Sequence, residues 1–277
     1  MTTTTDSRAA ARTAPAPSST YRLGFGRLLR SEALKLFTLR STWWSLGITV
    51  LLAVGIALVV GLATQSLPDE FREQVPLNPV TAVVSPLQLT MLVAGIFGAM
   101  AITGEYSTGM IRSTFAAEPR RGAVLLAKTI VVAATLVATT VVTSLIAIVV
   151  LTPIYGSNGF AWDDAEVTWI PLAYSLLAIA SVTLLGLGAG FVIRNGAGAI
   201  GATVGLLFVA PLIFSIFAAF GESWRWIADL AQYLPYNAAG TLVNGAGDDA
   251  LPALIALVAW PAAALLGGWA LLRTRDA

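Results

Sequence analysis

Six stretches of this chain contain no Asp, Glu, Lys or Arg: Trp43–Ala63, Leu87–Gly104, Thr129–Leu151, Ile170–Ile193, Ala197–Phe220 and Leu251–Leu272. Each is 18 to 24 residues long. At ~1.5 Å of rise per residue, a helix of about 20 residues crosses a ~30 Å hydrocarbon core. Lipid offers no partner to a backbone N–H or C=O, so only helices and closed barrels span it. Barrel strands alternate apolar and polar residues with period two, and these runs do not. The reading is an all-α integral membrane protein with six transmembrane helices over residues 43–272. Charged residues make up 11% of the 277 positions. That is under half of the ~25% of a soluble domain, and it excludes a water-soluble globular fold.

Alternating the connections between two sides separates the charges. The tail before Trp43, the 105–128 connection, Arg194 and the C-terminal tail 273–277 hold 14 of the 16 basic residues and five acidic ones. The other side holds Arg72, Arg225 and ten acidic residues. The positive-inside rule then places both termini in the cytoplasm. Trp43, Trp44, Trp162, Trp169, Trp224 and Trp226 fall near the expected interfaces, where an amphipathic indole is stable.

Residues 1–20 are rich in Thr, Ala, Pro and Ser without an apolar run, and they read as a disordered cytoplasmic tail. They lack the hydrophobic stretch of a signal peptide. Over residues 21–42 the pattern changes. Phe25, Leu28, Leu29, Ala33, Leu36 and Phe37 recur at helical spacing, with Arg27, Arg30, Ser31, Lys35 and Thr38 largely opposite. A basic amphipathic helix beside a span lies flat in the interface; Arg40 is included in this segment.

On the outer side, Pro68, Pro76, Pro79 and Pro86 disfavour long regular structure over 64–86. Residues 221–250 are apolar but too interrupted by charge to span, and they fit a re-entrant or interfacial helix covered by protein, with an ordinary surface loop as the alternative. Pro211 and Pro261 sit mid-span and are expected to kink the fifth and sixth helices. Gly186/Gly190 and Gly201/Gly205 form G-x-x-x-G pairs, which serve helix packing within the chain or between subunits.

Chemistry is mostly excluded. No cysteine and no histidine is present, which removes disulfides, thiol chemistry and the commonest proton shuttle. No metal site or cofactor is expected. Gly122 to Lys128-Thr129 imitates a phosphate-binding loop, but Ala127 replaces its second glycine and no strand precedes it. ATP binding by this chain is therefore rejected. The spans carry no ionisable residue, unlike proton-coupled transporters, so the energy for any transport comes from another subunit. Arg outnumbers Lys 14 to 2 at a net charge of +1, which points to a GC-rich bacterial genome rather than a nucleic-acid partner.

The densest polar motif runs from Glu105-Tyr106-Ser107-Thr108-Gly109-Met110-Ile111-Arg112 to Glu118-Pro119-Arg120-Arg121. Met110, Ile111 and Phe115 form an apolar patch on a short helix, which needs a cover of lipid or a partner groove. Charges that merely fix topology are the alternative.

At these residues the chain resembles the ABC-2 type permease family, the membrane subunits of a class of ABC exporters. The resemblance covers residues 21–275. It rests on Ser31-Glu32-Ala33-Leu34-Lys35-Leu36, Arg40-Ser41-Thr42-Trp43-Trp44, Glu105-Tyr106-x-x-Gly109-x-x-Arg112, Pro119-x-Arg121, Tyr233-Leu234-Pro235 and Ala238. Met110 departs from it, since relatives often carry Thr there. The resemblance implies an elbow helix with Arg27, Arg30, Glu32, Lys35 and Arg40. It implies a coupling helix between spans two and three, with Glu105, Tyr106, Gly109, Met110, Ile111, Arg112, Phe115, Pro119, Arg120 and Arg121 docking on an ATP-binding subunit. It further implies re-entrant helices within 221–250. Two ATP-binding subunits and a second permease, identical or homologous, would complete the assembly in membrane lipid. The expected function is that of a non-enzymatic permease subunit of an ATP-driven exporter in a bacterial cytoplasmic membrane, with an amphipathic or apolar cargo. A non-transporting scaffold and an ion-coupled secondary transporter are the alternatives.

Overall fold

In a computed structural model, which describes residues 24–68, 78–156, 159–245 and 247–274, every charge-free run is helical. Among the described residues all regular elements are helices. They are α1 Phe25–Phe37, α2 Arg40–Gln65, α3 Pro79–Val84, α4 Leu87–Thr108, α5 Met110–Ala117, α6 Arg121–Tyr155, α7 Ile170–Ile193, α8 Gly196–Val204, α9 Ala210–Phe217, α10 Arg225–Leu230, α11 Pro235–Val243 and α12 Ala250–Thr274. Six helical segments are long and apolar enough to cross a membrane: α2, α3 with α4, α6, α7 with its lead-in turn, α8 with α9, and α12. The chain is a multi-pass membrane protein. The tail before Gly24, the segment 69–77 and Arg275 lie outside the described residues.

Several helices outrun the charge-free stretches. At 35 residues, α6 is about 52 Å long, well beyond a ~30 Å core. Its first two turns carry Arg121 and Lys128 out of the apolar run. A π-helical turn over Ala165–Trp169 leads into α7, opened by Asp164, whose side chain accepts from the Glu166 and Val167 N–H groups.

The core is centred on α7. Its Ala178, Ile179 and Val182 are buried with Met91 and Ala94 of α4, Ala238, Ala239 and Leu242 of α11, and Ala253 and Leu257 of α12. Close approach of α4 and α7 depends on glycine. A Cβ added at Gly186 would lie under 3.0 Å from the Gly95 carbonyl oxygen, and one at Gly98 from that of Thr183. Gly190 abuts Ile102 in the same way. The Gly186/Gly190 pair is thus an intramolecular seam. Gly201 and Gly205 differ: among the described residues nothing lies within 4 Å of an added Cβ at either.

The two mid-span prolines behave differently. Before Pro211 the ladder is rewired into a π-helical turn, Gly205–Val209. Proline donates no N–H, and wider-pitch bonding re-satisfies neighbouring carbonyls. Pro261 lies within the uninterrupted α12, so it does not break that helix.

Segment 221–250 forms α10 and α11, linked by a 3-10 turn over Ala231–Tyr233. Trp260 Nε1 donates to the Tyr233 carbonyl at 2.8 Å, and α11 is packed into the core through Ala238, Ala239 and Leu242. The six tryptophans named above are all exposed.

Candidate functional site

α1 ends where Thr38 folds back. Its N–H bonds the Leu34 carbonyl, and its hydroxyl donates to Leu34 O at 2.8 Å. Leu39 is extended, and Arg40 opens α2. Arg40 is therefore the first residue of the first span, not part of the amphipathic helix. Arg27 and Arg30 are exposed on α1, as expected. Glu32 and Lys35 turn towards the protein instead.

Lys35 Nζ donates to Glu32 Oε1 at 2.6 Å, to Thr114 Oγ1 at 3.1 Å and to Glu105 Oε1 at 3.3 Å. Lys128 Nζ donates to Glu32 Oε2 at 2.5 Å and to Glu105 Oε1 at 2.8 Å. Two carboxylates and two ammonium groups thus form one neutral cluster joining α1, α4, α5 and α6. Lys128 and Glu105 are each only 5% exposed at the side chain. Burial of such charges is tolerable only with this pairing. These are the only two lysines of the chain.

The rest of the motif surrounds this cluster. Glu105 and Tyr106 lie in the last turn of α4, and Gly109 breaks the helix with φ +72°, a conformation that penalises any side chain. The next helix, α5, is short. Its Ile111 is 2% exposed and packs among Ile102, Leu125, Leu187, Phe191 and Leu272, with Phe115 against them. The patch expected of Met110, Ile111 and Phe115 is therefore covered by the chain itself, because so short a helix is anchored only by burying one face. Met110 alone of the three stays exposed, along with Arg112 and Pro119.

Two further bonds tie this region to distant spans. Arg121 donates to the Leu272 carbonyl at 2.6 Å and lies 5.5 Å from the Phe115 ring centroid. The Arg194 guanidinium at the end of α7 lies 5.3 Å from the Tyr106 ring centroid. Residues 105–121 are thereby joined to α1, α7 and α12 as well as to their own spans. Arg120 caps the carboxylate of Glu118 at 2.9 Å, and this ion pair holds the Glu118 carboxyl below its ordinary range.

Electrostatics stabilises the seating of α1 over a broad pH range. Burial alone would raise the Glu32 carboxyl, but Lys128 and Lys35 outweigh it and hold it below its ordinary 4.5. Burial alone would lower Lys35, but Glu32 and Glu105 outweigh it and hold it above 10.5. The depressed Glu32 contributes stability above 4.5 that is lost as pH falls through its folded value. The elevated Lys35 contributes stability below 10.5 that is lost as pH rises through its own. Protection factors for amide exchange across residues 25–37 in detergent, which divide out the intrinsic rise of exchange with pH, are expected to be steady between those limits and to fall outside them. A fall in protection within that window would show that the cluster does not seat α1.

Residues 122–129 lie inside α6, with Lys128 committed to the cluster. A scan against protein-family models returns no match for this chain, and neither does a search of curated proteins.

Proposed function

We propose that the chain is the permease subunit of an exporter powered by ATP hydrolysis in a separate subunit, with α1 as its elbow helix and α5 as its coupling helix. One observation carries this reading: α5 exposes Arg112 on one side, while its other side and flanks connect to α1, α4, α6, α7 and α12. A partner that pushes on α5 acts on most of the bundle at once. Two-state elements of this kind convert a local contact into movement of spans around a site. The basic end would face the cytoplasm, in a bacterial plasma membrane, by the positive-inside rule. α10 and α11 would dip into the outer leaflet, where protein covers their irregular backbone. Gly201 and Gly205, open on the side of the fifth span, suit a second permease copy.

The Arg112 backbone N–H donates to the Gly109 carbonyl, but its guanidinium makes no hydrogen bond or ion pair among the described residues, so it is available to a partner carboxylate. Arg112→Ala is expected to weaken the complex with the ATP-binding subunit about tenfold or more. Membrane insertion and thermal stability of the isolated chain should stay unchanged, because exposed substitutions cost little. Mild-detergent pull-down of the tagged chain tests both points: an ATP-hydrolysing subunit should co-purify, and less of it with the variant. Recovery of the chain alone, under conditions that keep a control ABC complex intact, would favour the scaffold reading.

A further inference from the structure

At the end of α4 away from the charge cluster, two uncharged polar faces oppose each other across a cleft. On one side, Thr81, Ser85 and Gln88 recur at helical spacing over α3 and the start of α4. On the other, Asn237, Thr241 and Asn244 recur along α11 and its C-terminal cap, beside Tyr236. The cleft measures about 480 Å³, and no charged residue lines it. Small-molecule sites run from about 300 to 1,000 Å³. Gly240 lies in the same wall, and nothing comes within 4 Å of a Cβ added there, so the space between the faces is open. Among the described residues no hydrogen bond crosses it, and the side chains of Thr81, Gln88, Tyr236 and Thr241 make none at all. Asn237 donates its amide N–H to the Ala231 carbonyl at 2.8 Å, and Asn244 donates to that of Gly240 at 2.8 Å. Each asparagine therefore keeps Oδ1 as an acceptor. None of Tyr236 Oη, Asn237 Oδ1 and Thr241 Oγ1 is sealed from the surface, so a molecule in the cleft can reach them.

We infer that this cleft binds a neutral oligosaccharide about two rings long. The lining selects that class. It holds no charge to neutralise an ion, and an unpaired ion out of bulk water is costly. Its hydroxyls and the Gln88 amide both donate and accept, as sugar hydroxyls do. Its polar groups repeat once per helical turn, ~5.4 Å, close to the length of one pyranose residue in a chain. From Thr81 to Gln88 and from Asn237 to Asn244 is seven residues each, about 10 Å of helix and so two such residues. An extended peptide repeats its same-side groups every ~6.6 Å and falls out of step with both faces. Tyr236, half-buried and held 5.9 Å from Phe208 between ring centroids, gives the C–H side of a sugar ring a fixed aromatic surface. The assignment stands on the cleft alone and is independent of the exporter reading.

Saturation-transfer NMR titration of the full chain, in a detergent without a sugar head group, tests it. The probes are cellobiose, glucose and the neutral peptide acetyl-triglycine amide. Cellobiose should bind about tenfold or more tightly than glucose, since a second ring adds hydrogen bonds along the same faces. The peptide should bind more weakly than cellobiose. Gly240→Leu fills the cleft without removing a polar group and should abolish cellobiose binding while the unfolding midpoint does not fall. Gln88→Leu, at an exposed position with no partner in the chain, should weaken cellobiose about tenfold and keeps the test open should Gly240→Leu fail to fold. No transfer to cellobiose, or equal affinity for cellobiose and glucose, would overturn the assignment. So would undiminished cellobiose binding by Gln88→Leu or by a folded Gly240→Leu. Tighter binding of the peptide than of cellobiose would overturn it in favour of a peptide ligand.

Discussion

Lys128→Met is expected to destabilise the chain by about 3–5 kcal/mol, the cost of leaving a buried charge uncompensated. Methionine keeps most of the volume and the helix propensity, so the loss isolates the ammonium group. Without it, Glu32 and Glu105 face only Lys35, and Glu32 Oε2 loses its donor. Combining Glu32→Leu with Lys128→Met removes one charge of each sign and leaves the Lys35–Glu105 pair neutral. The double variant is expected to recover most of the loss, because replacing a buried pair by apolar residues is often neutral. Denaturant titration of the four members of this cycle in micelles is the measurement. A single variant within about 0.5 kcal/mol of the parent, or a double variant at the sum of the two singles, would show that the cluster carries no net coupling.

The spans were legible because lipid imposes a demand that sequence displays openly: continuous apolar residues with every backbone group satisfied within the helix. What lies at helix ends was less so. Charges are tolerated there, so α6 gains two turns before Thr129 that a charge-free run cannot display. Lys128 was readable as a positive-side anchor or a broken phosphate loop, and neither reading says which way its side chain turns. A signal for the cluster did exist. Glu105 directly follows the second charge-free run and Lys128 directly precedes the third, so consecutive antiparallel spans bring the two to one depth. Glu32 and Lys35, three apart on a helix, share a face. The seam partners of Gly186 were hidden for another reason. Gly186 meets Gly95, and in the same seam Gly98 meets the Thr183 carbonyl; Gly95 and Gly98 do not repeat at the four-residue spacing that marks a G-x-x-x-G pair. Ile111 was legible as apolar, but its burial depends on a tertiary groove made by α4, α6, α7 and α12.

Gly186→Ala is expected to destabilise the bundle by about 1–3 kcal/mol or more, an overpacking cost set by backbone rather than side chains. The added Cβ meets the Gly95 carbonyl oxygen under 3.0 Å away, and a carbonyl held in a helix ladder cannot rotate aside as a flexible side chain would. Relief comes only by separating α4 from α7. Those helices carry Tyr106 and Arg194 at their ends, so separation also loosens the contact that ties residues 105–121 to the fourth span. Gly201→Ala is the matched control, with the same chemical change in open space and an expected gain of up to about 1 kcal/mol from helix propensity alone. Unfolding midpoints of the two variants in one detergent decide the point, and equal midpoints would remove the seam as a source of stability. The control informs the subunit question too. If a second copy packs against Gly201 and Gly205, Gly201→Ala will not destabilise the isolated chain but will weaken self-association, because closely approaching helices in lipid depend on small residues at their contact.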